Sequence, residues 1–212
     1  MNTKKMKYAP VPVTSISIQI VSAQIHELIR SLSTKGLLVS FGDIVFYAVC
    51  QGLGKFPIFN SFYEDHVKIY PQINVGYSIN LDNNPKVAVV KDADKKNVLE
   101  ISQEIKKLSL KYIHGELTDA ESEESTFLIN NLSSFNAFII NTPIYERRSA
   151  MLSIASEYDS LKIISNQAIP TKKFNLTLSF DPRVADCQQA LSFLNSVREI
   201  LESHDHHQKI LS

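Results

Sequence analysis

Glycine is scarce in this chain, with six residues among 212. A loop that cradles phosphate needs several glycines within a few positions, so that backbone N–H groups can approach the ligand. No such cluster exists, which removes the common nucleotide-binding folds. Cysteine is scarcer still. Cys50 and Cys187 are too few for a disulfide framework and too far apart for metal-ligand spacing, so no metal is expected. A reducing cytoplasm is the expected setting. Net charge is also missing: 22 basic and 22 acidic side chains cancel and intermix without a basic stripe, so nucleic acid is not an expected partner. No run of about 18 apolar residues is present, so no membrane span is expected. The opening "MNTKKMKYAPVPV" has lysines but no apolar stretch behind them, so no signal peptide is expected.

What remains is a chain that is 44% apolar, enough for one sizeable core and a single domain. Residues 1–10 read as an N-terminal arm, 11–203 as one folded unit and 204–212 as a frayed C-terminal tail. "PVTSISIQI" alternates, with Ile16, Ile18 and Ile20 on one face of a strand. "SAQIHELIRSLSTKG" has helical spacing, with Ser22 as N-cap and Gly36 as stop. A second helix opens at Ser40, where Asp43 completes a capping box, and ends before Pro57; it is apolar on most sides and so buried. "HVKIYPQINVGYSINL" and "KVAVVKDA" read as strands around an Asp-Asn-Asn-Pro turn. "NVLEISQEIKKLSLKYIHGEL" is an amphipathic helix and "DAESEES" a solvated loop. "TFLINNL", "AFIINT", "SAMLSIAS", "SLKIIS" and "KKFNLTLSFD" supply further strands. The last helix spans about Asp186–Ser203, with Leu191, Leu194, Val197 and Leu201 inward. The pattern predicts an α+β domain with a mixed sheet flanked by helices.

Several of these segments, taken in order, resemble the catalytic domain of the 2-oxoacid dehydrogenase dihydrolipoamide acyltransferases. "INVGYSINLDNNPKVAVVKDADKKNVLEISQEIKKL" resembles the family's N-I-G-I-A-V and V-P-V-I-R-D-A-D-K-K-S-L-x-E-I stretch. "ESTFLINNLSSFN" resembles its G-T-F-T-I-S-N-L-G-x-F-G, and "FIINTP" its P-I-I-N-P-P. "LTLSFDPRVADCQQALSFLNSVREILE" resembles its final strand, D-H-R-x-x-D-G motif and closing helix. The resemblance runs from about residue 11 to 203 and implies the chloramphenicol acetyltransferase-like fold and a homotrimer. It also implies a tunnel at each subunit interface, which coenzyme A and a dihydrolipoyl thiol enter from opposite sides. No segment resembles the family's lipoyl domain, so no lipoyl group is expected on this chain. A separate acyl or lipoyl carrier protein is then implied.

The departures fall on the chemistry. In the family the motif His takes the thiol proton, and a Ser of I-S-N-L donates to the oxyanion. Here those positions are Pro182 and Asn130. Cys187 and Ser133 replace two glycines, while Asp181, Arg183 and Asp186 match the motif. The segment after Pro143, "IYERR", makes this loop about four residues longer than the family's. The resemblance makes Asp186 structural, tied to an arginine: Arg183, Arg147 or Arg148. Proline's ring nitrogen lies in the peptide bond and accepts no proton. A thiol with a pKa near 8.5 is only a few per cent ionised at pH 7. A positioned base contributes about 10²–10⁴ in rate.

The candidate site residues are therefore Asn130, as an amide donor to an oxyanion, with Asp186, Arg183 and Cys187. Cys187 reads either as a new nucleophile at a helix start or simply as the residue standing in place of glycine. His66 and His26 read as surface residues and His114 as a cation at a helix end. Lys91, Asp92, Asp94, Lys95 and Lys96 read as a solvated turn. The expected function is the handling of acyl-coenzyme A, or of acyl thioesters on a pantetheine-linked carrier, with the His-based mechanism lost or altered. The alternative is a non-catalytic trimeric scaffold or regulatory subunit of a multienzyme complex. A tunnel plugged by Tyr145 or Phe135 would favour the second.

Overall fold

Alternation of small polar and branched apolar residues builds the first strand, β1 (Thr14–Val21). The computed structural model describes residues 11–79, 86–122, 124–144 and 147–211. The expected arm at 1–10, the turn at 82–85 and Tyr145 lie outside them. After β1 come α1 (Ala23–Thr34) and α2 (Phe41–Lys55), then the short strands β2 (Ser61–Tyr63) and β3 (Val67–Ile69). Next are β4 (Val75–Ile79), β5 (Lys86–Val90), α3 (Val98–Ile113) and a single turn, α4 (Asp119–Ser122), where a loop was expected. The chain closes with β6 (Phe127–Asn131), β7 (Ala150–Ile154), β8 (Tyr158–Ile164), β9 (Gln167–Phe180), α5 (Cys187–Glu202) and α6 (His204–Leu211).

The main sheet runs β1-β9-β7-β6-β4-β5, with β8 pairing the first half of β9; β2 and β3 form a separate ribbon. β6 lies parallel to both β4 and β7, and the other pairs are antiparallel, so the sheet is mixed as expected. Strand alternation gives this sheet two different faces. Ile129, Leu152, Ile154, Leu176 and Leu178 point into the apolar core with the helices. The intervening residues Asn130, Ser153 and Thr177 point the other way.

Local chemistry explains the helix starts. The Ser40 hydroxyl accepts from the Asp43 N–H, and the Asp43 carboxylate accepts from the Ser40 N–H, which is the predicted capping box. Asp43 is buried, and the Ser102 hydroxyl donates to it at 2.7 Å, tying α2 to α3. Ser22 sits at the start of α1 without capping it; its hydroxyl donates to the Lys172 carbonyl at 3.2 Å. Gly36 follows α1 with φ 75°, a left-handed backbone that glycine adopts without a Cβ clash.

Three expectations give way. "AFIINT" is not a strand but an irregular segment across the sheet. On α5 the inward residues are Ala190, Phe193, Leu194, Val197, Ile200 and Leu201, while Leu191 is 41% exposed. The tail is the helix α6, packed on α1 and α5, rather than a frayed end. On α6 the His207 ring is buried, and that burial, with His204 and His206 nearby, pushes its pKa below the ordinary value against the opposing pull of the Ile200 carbonyl and Glu27. Among the described residues no helix is long and apolar enough to cross a membrane.

Candidate active site

The loop from β9 to α5 carries four of the singled-out residues, and its geometry follows from Asp181. This residue is buried, and its N–H donates to the Ser149 carbonyl at 2.8 Å. Its own carbonyl accepts the Val184 N–H at 2.9 Å, closing a four-residue turn with Pro182 and Arg183 in the middle. Proline suits the second position of such a turn because its ring presets φ. The Asp181 carboxylate accepts the Arg183 N–H at 2.9 Å, then grips the Arg183 guanidinium at 3.0, 3.1 and 2.7 Å. That pairing holds the guanidinium pKa above its usual value. The guanidinium also lies 4.3 Å from the Tyr63 ring centre, a cation–π contact.

Asp186 does not pair with an arginine. Its carboxylate accepts the Gln189 N–H at 2.7 Å, and the Gln189 side chain accepts the Asp186 N–H at 3.0 Å, a capping box that starts α5. Arg183 is committed to Asp181, Arg148 donates to the Ser125 carbonyl at 3.0 Å, and Arg147 stands 5.2 Å from the Phe62 ring centre. The expected tie is therefore replaced by a cap and three separate contacts. Pro182 and Cys187 are both exposed. Cys50, by contrast, is fully buried, and desolvation pushes its thiol pKa well up, so it is chemically quiet.

Asn130 lies elsewhere. It is the last but one residue of β6, on the face away from the helices, half-buried, and its side-chain carbonyl accepts the Ser78 hydroxyl at 2.8 Å. This leaves the amide N–H groups of Asn130 as the donors it can offer. Its partner in register on β7 is Ser153, which in turn pairs with Thr177 on β9 and, through it, with Ser17 on β1. Ser78, Asn130, Ser153, Thr177 and Ser17 thus form one polar row across five strands. The Ser17 and Thr177 hydroxyls bond each other at 2.8 Å. Only Asn130 of this row was singled out from the sequence. For Ser17 and Thr177 the available signal was hydroxyl alternation in "SISIQI" and "LTLSF".

The structure does not bring Asn130 and Pro182 together within one chain. From the level of Thr177 to the end of β9 at Phe180 is about 10 Å, and two strand spacings add about 10 Å sideways. Pro182 lies beyond that end, outside the reach of any side chain.

Among the other candidates, His66 is exposed as expected, and His114 caps α3. Asp92, at φ 47°, and Lys95 pair in the exposed turn before α3. His26 differs: its Nε2 lies 2.7 Å from Glu157, and its ring centre is 6.0 Å from that of Phe41. Phe135 is 58% exposed and plugs nothing within its own chain. Among the described residues no cluster of three or more metal-ligating side chains occurs.

A mixed sheet of this order, with helices on one face and a polar row on the other, is the chloramphenicol acetyltransferase type of architecture. A solved chloramphenicol acetyltransferase matches with a TM-score of 0.59 at 14% identity, over 93% of this chain and 92% of that one. Closer in shape, a probable dihydrolipoamide acetyltransferase from Listeria monocytogenes gives 0.83 at 25% identity, over 94% of this chain and 86% of that one. The chain belongs to the 2-oxoacid dehydrogenase acyltransferase family: the model of its catalytic domain matches residues 3–208. The dihydrolipoyllysine-residue acetyltransferase component of the pyruvate dehydrogenase complex of Rickettsia prowazekii is 32% identical over 171 residues, which is 78% of this chain. The match spans 41% of that relative's own length. A dihydrolipoamide acetyltransferase structure from Azotobacter vinelandii gives a TM-score of 0.86 at 17% identity, over 96% of this chain and 85% of that one. That work concerned the role of a serine, a histidine and an asparagine in the catalytic mechanism.

Proposed function

We propose that this chain binds an acyl thioester, on coenzyme A or on a separate carrier's pantetheine or lipoyl arm, and passes the acyl group to a second thiol without a protein base. The observation that carries this reading is spacing. In the Azotobacter protein the named serine and histidine stand 52 positions apart and the asparagine four further on. Asn130, Pro182 and Asp186 repeat both intervals, so no net insertion separates them despite the longer loop after Pro143. On this reading the three positions of that site correspond to Asn130, Pro182 and Asp186, with an amide donor at the first, no base at the second and a helix-capping carboxylate at the third.

Because Asn130 and Pro182 stand at different ends of the sheet, one complete site takes Asn130 from one copy and the Pro182 turn from another. A trimer supplies that arrangement. The acceptor thiol then has to arrive as thiolate from solution, and the Asn130 amide donates to the oxyanion. Turnover of acyl-coenzyme A with dihydrolipoamide should therefore follow the thiolate fraction, climbing about tenfold per pH unit between about pH 6 and 8. A rate that levels off near neutrality would reveal a titrating base on the protein and overturn the baseless mechanism.

A second reading rests on Leu161, Ile163, Ile164 and Ile169, large apolar residues exposed along the β8–β9 hairpin. They favour an assembly surface, and a chain that serves only as a trimeric scaffold would show no thioester turnover at any pH.

A further inference from the structure

We propose that Ser153 is a catalytic residue of this chain, supplying the hydroxyl donor that the site lacks at position 130. Ser153 is 1% exposed, and its Oγ has no hydrogen-bond partner. A buried hydroxyl left unpaired is costly and calls for an explanation, and a ligand oxygen that accepts from it is one. Its place in the sheet says what the use is. Ser153 stands in register with Asn130 on the neighbouring parallel strand and on the same face, about 4.8 Å away across one strand spacing. The other members of the row are already paired: Ser78 with Asn130, and Ser17 with Thr177. Ser153 is the unpaired donor at the centre.

Its surroundings keep that donor in place. The irregular segment after β6 crosses the same face, held by the Asn175 amide donating to the Phe138 carbonyl at 2.8 Å and by the Thr142 N–H donating to the Ser179 hydroxyl at 3.3 Å. These anchors flank Thr177, the residue beside Ser153 on β9. The Thr142 hydroxyl is likewise buried and unpaired. Asn130, its neighbour in the row, is half-buried, and that is the side from which an acyl oxygen would reach Ser153.

The step balances simply. The acceptor thiol gives its proton to solvent, and its thiolate sulfur forms a bond to the acyl carbon. The carbonyl electron pair moves onto oxygen, which accepts from the Asn130 amide and the Ser153 hydroxyl. Collapse restores the carbonyl and breaks the old carbon–sulfur bond, and the leaving thiolate takes a proton from water. Two donors on rigid neighbouring strands are the preorganised arrangement that stabilises such an oxyanion.

This assignment rests on the thioester reading, and Ser153→Ala separates the two. Removing an unpaired hydroxyl that is only structural leaves the thermal midpoint unchanged or higher and leaves turnover alone. The proposal instead expects kcat for acyl-coenzyme A with dihydrolipoamide to fall by about 10²–10³, with the thermal midpoint unchanged or raised. Ser153→Cys, close in size but a weak donor, should lose turnover in the same direction and keeps the test open if the alanine variant does not fold. Turnover equal to wild type in a folded variant overturns the role of Ser153 and leaves the thioester reading standing. No turnover by the wild-type chain across a panel of acyl thioesters overturns both.

Discussion

Replacing Pro182 by histidine and Asn130 by serine in one chain is expected to raise thiol transfer by about 10²–10⁴ over wild type at pH 7, the typical contribution of a positioned base. The turn should tolerate the change. Its closing bond runs from the Val184 N–H to the Asp181 carbonyl, and its anchor is the Asp181–Arg183 pair, so neither uses the proline ring. Losing proline's preset φ costs about 0.4–1 kcal/mol through the unfolded chain, small beside a core of this size. Asn130→Ser removes the side-chain carbonyl that Ser78 now bonds, but a serine hydroxyl can accept from Ser78 and still donate. The pH profile should change with the rate: the wild-type climb with thiolate fraction gives way to a plateau above the imidazole pKa. A stably folded double variant with no gain would mean that the Pro182 turn does not face a substrate thiol.

The second large effect is structural. Phe193→Ala is expected to cost about 3–5 kcal/mol, the usual range for emptying a buried aromatic site. The ring is fully buried, with the rings of Phe59, Phe56 and Phe127 centred 5.1, 6.1 and 6.3 Å away. A Cβ built on Gly52 would lie 3.0 Å from the Phe193 ring, so α2 and α5 already meet at close range. A cavity there is walled by two helices and a sheet, and the site has little room to collapse. Denaturant unfolding measures the loss directly. A change below about 1 kcal/mol would mean that the neighbouring rings refill the space, contrary to the dense packing expected of such a core.

Much of the fold was legible because local signals and packing agree. Ser40 and Asp43 start a buried helix at the expected place, and Ile16, Ile18 and Ile20 face inward on β1. The failures have physical causes. "AFIINT" is apolar enough to read as a strand, but β9 already fills the place between β1 and β7, so the segment crosses the sheet and bonds through side chains instead. Leu191 sits one position out of phase with the apolar stripe of Ala190, Phe193, Leu194 and Val197. The Asp186–Gln189 capping box could have been read from "DCQQ" and would have argued against an arginine partner. The site was the least legible part. Motif positions lie on one line of text, yet Asn130 and Pro182 fold to separate ends of the sheet. Ser153 became visible only once register placed it beside Asn130.

The central claim is that one functional site is assembled from two copies of the chain. Its most direct test co-expresses a chain carrying only Pro182→His with a chain carrying only Asn130→Ser and Arg183→Ala, then measures acyl transfer by the purified mixed oligomers. The second chain has serine at position 130 but a disabled turn, and the first has an intact turn but no serine there. The account predicts that the mixed oligomers exceed the sum of the two chains assayed separately. If the double variant Pro182→His, Asn130→Ser is active alone while the mixture shows only that sum, the site is built within a single chain and the account is contradicted.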